Sequence, residues 1–209
     1  MKFTERRYGF SLEGIDGRTD IKFSNLAGAH TKSIYDDPNK DPQRAITIWF
    51  DEDDIADGLR QNDFLVGKAL DKFHKNKDGS LMFEDERYFI KFVAYVENIV
   101  DPATGKTVGA KLKSYVNRRT GKEEPSPKIM LQTDNGPKLL QPDEFNLVDA
   151  SHIQSIDIGF RQYKYDPHKP CTAVINELWF ALDPTADGRN DYEDDYLEQK
   201  WAGVPLSDE

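Results

Sequence analysis

Residues 87–100 read RYFIKFVAYVENIV, and their side chains fall into two interleaved rows. Ile90, Phe92, Ala94 and Val96 share one parity, while Phe89, Lys91, Val93 and Tyr95 share the other. A β-strand sends successive side chains to opposite faces, so this period of two predicts a long strand with one face in a core. The same alternation returns in shorter stretches. AITIWF (45–50) sets Ile46, Ile48 and Phe50 against Thr47 and Trp49, and IDIGFRQYKY (156–165) sets Ile156, Ile158 and Phe160 against Arg161, Tyr163 and Tyr165. TVGAKLKSYVN (107–117), KIMLQT (128–133), TAVINELWFAL (172–182) and the opening of IKFSNLAG (21–28) add further strands. Turn chemistry separates them, in DPATGK and in the Asp-Pro pairs of residues 29–44. One segment breaks the period: DEDDIADGLRQNDF (51–64) places Ile55 and Leu59 four apart behind acidic residues that suit a helix N-terminus.

Short strands, frequent turns and one small helix predict a small antiparallel barrel or sandwich. The strand count fits a five-stranded Greek-key OB-fold barrel with an N-terminal extension and one or two short helices; other β-barrels share the pattern. With 209 residues and 37% hydrophobic content, one substantial folded unit is expected, over residues 1–182. The lone Cys171 allows no intramolecular disulfide. MKFTERRYGF carries basic residues with no apolar run behind them, and no stretch approaches a membrane span, so a cytoplasmic protein is expected.

Charge is distributed unevenly. The total is −10, but residues 183–209 carry nine acidic side chains against Arg189 and Lys200, a net −7. Between Thr104 and Lys138 the balance reverses, with eight basic residues and three acidic ones. A basic middle and an acidic end suggest a flexible C-terminal interaction tail, 183–209, following the folded unit.

Three motifs that imitate catalytic or metal sites have simpler explanations. PATGKT has the end of a phosphate-binding loop but lacks its first glycine, and it joins two strands instead of opening a helix. HKNKDGSLMFED and DPTADGRNDYED resemble calcium loops, yet the first begins with His74 and both end in Asp where a bidentate Glu normally closes the site. Solvated turns are expected there. The acidic run at 51–54 reads as helix capping, since four successive residues cannot converge on one ion. His30, His74, His152 and His168 are scattered through polar segments where histidines are usually exposed and inert. No enzyme, metal or cofactor is expected.

The outer faces carry a different pattern. Holding single-stranded nucleic acid requires cations for the backbone and aromatic planes for unpaired bases. Arg161, Tyr163 and Tyr165, with Lys164 beside them, supply both on one strand; Lys111, Lys113 and Tyr115 supply them on a second, and Lys91 and Tyr95 on a third. Arg118, Arg119, Lys122 and Lys128 follow in and after the next loop. Each strand alone could be ordinary solvent-facing surface, where tyrosine and lysine are common. Repetition over three strands favours binding.

The stretches PKIMLQTDNG and LVDASHIQSIDIGFRQYKYDPHKPCTAVINELWFAL resemble the C-terminal half of tailed-phage single-stranded-DNA-binding proteins, which are OB-folds. In that family a strand ends in an Arg-Pro-Tyr-x-Trp-like motif, which Arg161, Tyr163 and Tyr165 match, with Gln162 in place of the proline and Tyr165 in place of the tryptophan. FSNLAG and AITIWFDEDDIADGLRQNDF resemble the family's first strand and its strand-plus-helix segment. The resemblance implies sequence-independent binding of single-stranded DNA in phage replication, recombination or repair. It also implies an acidic tail that occupies the groove when DNA is absent and engages polymerase, helicase or primase; a homodimer is compatible with it. Two other classes fit the composition: an acidic DNA mimic that inhibits a host protein, and a structural β-module of a virion.

Overall fold

The structure, a computed structural model, describes residues 1–24, 43–105, 107–116, 118–133, 136–140 and 153–182. Within these, only the backbone is described for residues 22–24, 43, 44, 98, 107–110 and 115. The acidic tail, the second calcium-like loop, His30, His152 and most of the 25–44 loop lie outside the described residues. The chain is mostly β. Its strands are β1 (Lys2–Arg6), β2 (Gly9–Asp16), β3 (Ile21–Ser24), β4 (Gln43–Phe50), β5 (Gly67–Leu70) and β6 (Glu86–Val100). They continue with β7 (Thr107–Val116), β8 (Glu123–Ser126), β9 (Lys128–Thr133), β10 (Gly136–Leu139), β11 (Ile153–Tyr163) and β12 (Thr172–Leu182). The helix α1 (Asp53–Gln61) lies between β4 and β5.

The strands join in one branched sheet whose main path runs β1-β2-β11-β12-β6-β4-β3. That path ends at β1 and β3, so among the described residues the sheet does not close into the five-stranded barrel expected from the strand count. The seam is β12. It pairs antiparallel with β11 on one side, and on the other runs parallel to β6 at Ala173 and Val174 and to β9 from Glu177 to Ala181.

The expected N-terminal extension is a hairpin built into the sheet. β1 pairs with β2 from Lys2↔Glu13 to Arg6↔Gly9, and β2 pairs with β11. Alternation fails in β2 for a local reason. Gly14 has φ +72°, and the register slips between Ile15↔Ile156 and Leu12↔Ile158, so two core residues sit three apart instead of two. An extra residue that needs a left-handed glycine is a β-bulge, and it hides the strand from a period-two pattern. Gly9 is required for a separate reason: a Cβ there would come within 2.4 Å of the Phe160 carbonyl oxygen.

Both faces of the core follow from parity. Ile46, Ile48 and Phe50 of β4, Ile90, Phe92, Ala94 and Val96 of β6, and Ile156, Ile158 and Phe160 of β11 are all buried in one cluster. Side chains of this size each contribute about 1.5–3 kcal/mol by leaving water. Phe160 is an aromatic hub, with ring centroids 4.8 Å from Phe92, 5.3 Å from Phe64, 5.6 Å from Phe10 and 6.4 Å from Phe3. Helix α1 closes one side with Ile55, Ala56 and Leu59.

The acidic run before the helix behaves otherwise than capping predicts. Glu52 occupies the N-cap without a side-chain cap bond. The carboxylates instead fasten separate elements: Asp51 accepts from Arg87 Nε at 2.8 Å, Glu52 from the Met1 amino group at 2.9 Å, and Asp53 from the Tyr88 hydroxyl at 2.6 Å. His74 also departs from expectation. It is buried, with Nδ1 2.5 Å from Asp71 Oδ2 and Nε2 2.9 Å from the Ile21 carbonyl. The rest of its loop is the solvated turn expected, where Asp78 accepts from the Ser80 amide and hydroxyl.

Candidate nucleic-acid interface

The outer face is assembled where β6, β7 and the end of β11 meet. Val96 of β6 pairs with Leu112 of β7 and Glu97 with Lys111, which sets Tyr95 opposite Lys113 one step earlier. The Lys113 ammonium lies 6.0 Å from the centre of the Tyr95 ring, within cation–π range. On its other side Tyr95 meets Tyr163 of β11 edge-on, with centroids 6.2 Å apart and planes at 76°. The β6–β7 hairpin and the distant β11 thus bring two phenols and an ammonium into one group.

Arg161 lies beside that group on β11. It is opposite Val174 of β12, which is itself beside Val93 of β6. Both valines are buried, so the strand positions next to Arg161 are apolar. Arg161 and Lys91 are exposed, and their side chains form no ion pair with any described residue. Tyr163 is 40% exposed and Tyr165, in the turn past the strand, 82%.

The other sequence-selected cations differ. Lys111 pairs with Glu97 at 3.3 Å, and Lys128 with Glu124 at 3.0 Å. Arg118 and Arg119 occupy the exposed turn between β7 and β8. Tyr115 has its backbone in β7, and its side chain lies outside the description. Lys164 is engaged most closely, with Nζ 2.6 Å from Asp63 Oδ2.

Asp63 sits at a junction that no local pattern displays. The end of α1 is a Schellman turn, in which the Phe64 amide donates to Leu59 O at 3.1 Å and the Asp63 amide to Arg60 O at 2.9 Å. The turn needs a left-handed residue, usually glycine, and Asp63 takes it with φ 58°. Its carboxylate accepts from Lys164 and from the Cys171 thiol at 3.3 Å, while its carbonyl accepts from the Cys171 amide at 2.7 Å. Gln162 donates to Asn62 O at 2.6 Å in the same corner. The hydrogen bond from Lys164, then that from Cys171, holds the Asp63 carboxyl below the usual carboxylate range; the same bond from the other side raises Lys164. Burial, then the neighbouring carboxylate, pushes the Cys171 thiol up, away from nucleophilic use.

A second ionic knot is centred on Arg87, at the start of β6. Arg87 is 3% exposed and reaches Asp51, Asp20 Oδ1 at 3.1 Å, Asp71 Oδ2 at 3.4 Å and the Thr19 carbonyl at 2.7 Å, with its guanidinium 3.8 Å over the Phe83 ring. Burial opposes charge on Asp71, but bonds from the His74 ring and from the Phe73 and His74 amides keep its carboxyl below the ordinary value. These residues are the ones that sequence reasoning missed: Thr19 and Asp20 follow β2, Asp51 precedes α1, Asp71 and His74 follow β5, Arg87 is on β6, and no spacing connects them.

The opposite end of β11 presents another chemistry. Glu13, Asp157 and Glu177 line an open cavity of about 380 Å³ together with Arg6, Ser11, Ile158, Gly159 and Trp179. Arg6 bridges to Glu13 at 2.6 Å, and the Trp179 indole donates to Glu177 at 2.6 Å. Among the described residues no group of three or more His, Cys, Asp or Glu is arranged to hold a metal ion, and no helix is long and apolar enough to cross a membrane.

No family model and no curated protein sequence matches this chain. Among solved structures, it is similar to the single-stranded DNA-binding protein from bacteriophage Enc34, with 15% identity, 94% of this chain and 99% of that one covered, and a TM-score of 0.37. The same protein in complex with ssDNA gives 12% identity, 86% and 93% coverage, and a TM-score of 0.38. The single-stranded DNA binding protein gp2.5 encoded by bacteriophage T7 gives 10% identity, 90% and 93% coverage, and a TM-score of 0.27. Overlaps of that size carry no argument about the chemistry of this chain.

Proposed function

We propose that this chain binds single-stranded DNA without base preference, through the outer face of β6, β7 and the end of β11. One observation carries the proposal: Tyr95 meets both Tyr163 and Lys113, so planes for bases and charge for phosphates converge from three strands. Stacking accepts any base, and cations read only the backbone, which makes such a surface indifferent to sequence. Lys91 and Arg161 extend it; Lys111, Lys113, Tyr115, Arg118, Arg119, Lys128, Lys164 and Tyr165 complete the proposed set. The wider reading includes an OB-type core within residues 1–182 and a role in phage DNA replication or recombination. It also includes a tail, 183–209, that competes for the groove and recruits replication proteins. Its support is the charge asymmetry and the resemblance in the order of motifs.

The test is a titration against labelled oligo(dT), single-stranded RNA and duplex DNA over a range of salt. Single-stranded DNA should bind most tightly, with log K falling against log[salt] by about 0.7 per phosphate neutralised. A salt-insensitive constant, or preference for duplex, overturns the proposal. The DNA-mimic reading has one observation in its favour, the carboxylates of Glu13, Asp157 and Glu177 on an ordered surface. It requires that oligo(dT) does not bind at all.

A further inference from the structure

The outer face of β6 continues past Lys91 to Phe89, which is opposite Trp49 in the β4 register. Their ring centroids are 5.0 Å apart, and Phe73 joins them at 6.2 Å from Trp49. This aromatic group shares its parity with Lys91 and Tyr95, and six residues at roughly 3.3 Å put it about 20 Å along the strand from Tyr95. Phe73 is 55% exposed although it is large and apolar.

Two independent features show that the group is more than leftover surface. Trp49 is 3% exposed, and its Nε1 has no hydrogen-bond partner among the described residues, an uncommon state for a buried donor. The loop that presents Phe73 is also firmly anchored. The Phe73 and His74 amides donate to Asp71 Oδ1 at 3.0 and 3.2 Å, and Asp71, fully buried, is held by His74 and Arg87. A buried ionic anchor thus holds an exposed phenyl ring beside an indole whose donor meets no described acceptor.

We propose that Trp49, Phe73 and Phe89 form a second base-stacking station on the single-strand path, separate from the Tyr95–Tyr163 pair. An unpaired base stacks on Phe73, Lys91 meets the phosphates between the stations, and the Trp49 N–H gains an oxygen of the strand once the Phe73 ring turns onto the base. This rests on the reading that the β6 face binds single-stranded DNA.

The test uses the full chain carrying Trp179→Phe and Trp201→Phe, which leaves Trp49 as the only indole. Oligo(dT) of about 16 nucleotides, long enough to fill a site of this kind, should quench Trp49 emission on binding. Phe73→Ala should lower affinity about 5- to 100-fold, the effect of one lost stack, and Phe73→Tyr should restore it. Trp49→Phe, which keeps a ring and removes the N–H, should weaken binding severalfold. Normal oligo(dT) affinity in Phe73→Ala, with Trp49 emission unchanged by DNA, overturns the second station and leaves the functional proposal standing. Absence of oligo(dT) binding by the unaltered chain overturns both.

Discussion

The outer face of β11 changes character over four residues. At Asp157 and Gly159 it borders a cavity edged by three carboxylates that already have hydrogen-bond donors: Asp157 accepts from the Gly14 amide at 2.7 Å, Glu13 from Arg6 and Ser11, and Glu177 from the Trp179 indole. At Arg161 and Tyr163 it carries a cation without an ion-pair partner among the described residues and a phenol set against Tyr95. Beneath both halves runs the same buried row of Ile156, Ile158 and Phe160. The difference separates roles on a single strand. The inner parity holds the fold, one outer half engages its carboxylates in internal hydrogen bonds, and the other leaves cation and ring available to a ligand.

The largest effect should come from the row the halves share. Phe160→Ala removes the ring at the centre of the Phe3, Phe10, Phe64 and Phe92 cluster and should cost about 3–5 kcal/mol of stability. Thermal melting is the measurement. A change near zero would mean that parity along β11 does not separate core from surface, and the comparison of its outer halves would lose its basis.

Tyr163→Ala comes next. It should weaken oligo(dT) binding by about 1–3 kcal/mol if the ring carries a stacked base, while the melting temperature changes little because the side chain is on the outer parity. Binding that is lost only together with the fold would assign Tyr163 to structure and remove the ligand-facing half.

Parity of this kind was legible in the sequence, because β4, β6 and β11 alternate cleanly and the residues that alternation selects are all buried. What lay hidden was non-local or irregular. β2 was missed because the bulge at Gly14 breaks its period. Trp49 alternates onto the outer face, yet it is buried there by Phe73 and Phe89, one from a loop and one from a neighbouring strand. His74 resembled an exposed loop residue because the Ile21 carbonyl that holds its ring, and the Arg87 that meets its near neighbour Asp71, arrive only through the fold. Lys164 was readable as a cation, but its capture by Asp63 depends on a helix-ending turn 101 residues earlier.

Arg161 and Asp63 allow the basic half to be weakened and strengthened by similar amounts. Arg161→Ala should lower the salt slope by about one phosphate's share, roughly 0.7. Asp63→Asn should do the opposite, since asparagine tolerates the left-handed backbone equally well and releases Lys164 to meet a phosphate. Titration with pH cannot replace the mutation. The lowered Asp63 carboxyl keeps its contribution above the ordinary carboxylate range and loses it only in acid, while the raised Lys164 loses its own only as pH rises past the ordinary lysine value. Between about pH 4 and 10 the pair therefore stays intact. If Asp63→Asn leaves the slope unchanged, Lys164 is a structural tether and no part of the DNA surface.

The smallest effect is expected at the acidic half, and it tests whether the halves act independently. Asp157→Asn preserves an acceptor for the Gly14 amide and removes one negative charge. Four residues at roughly 3.3 Å put that charge about 13 Å from Arg161 along the strand. In water, unit charges at that distance interact by about 0.3 kcal/mol, less than a twofold change in affinity. At 0.15 M salt the screening length is about 8 Å, and the effect should vanish; near 0.01 M it is about 30 Å, and oligo(dT) binding should tighten slightly. Affinity measured at both ionic strengths decides the matter. A severalfold gain that persists at 0.15 M would place phosphates much closer to Asp157 than the Tyr95–Tyr163 site allows, and the bound strand would then have to cross both halves of β11.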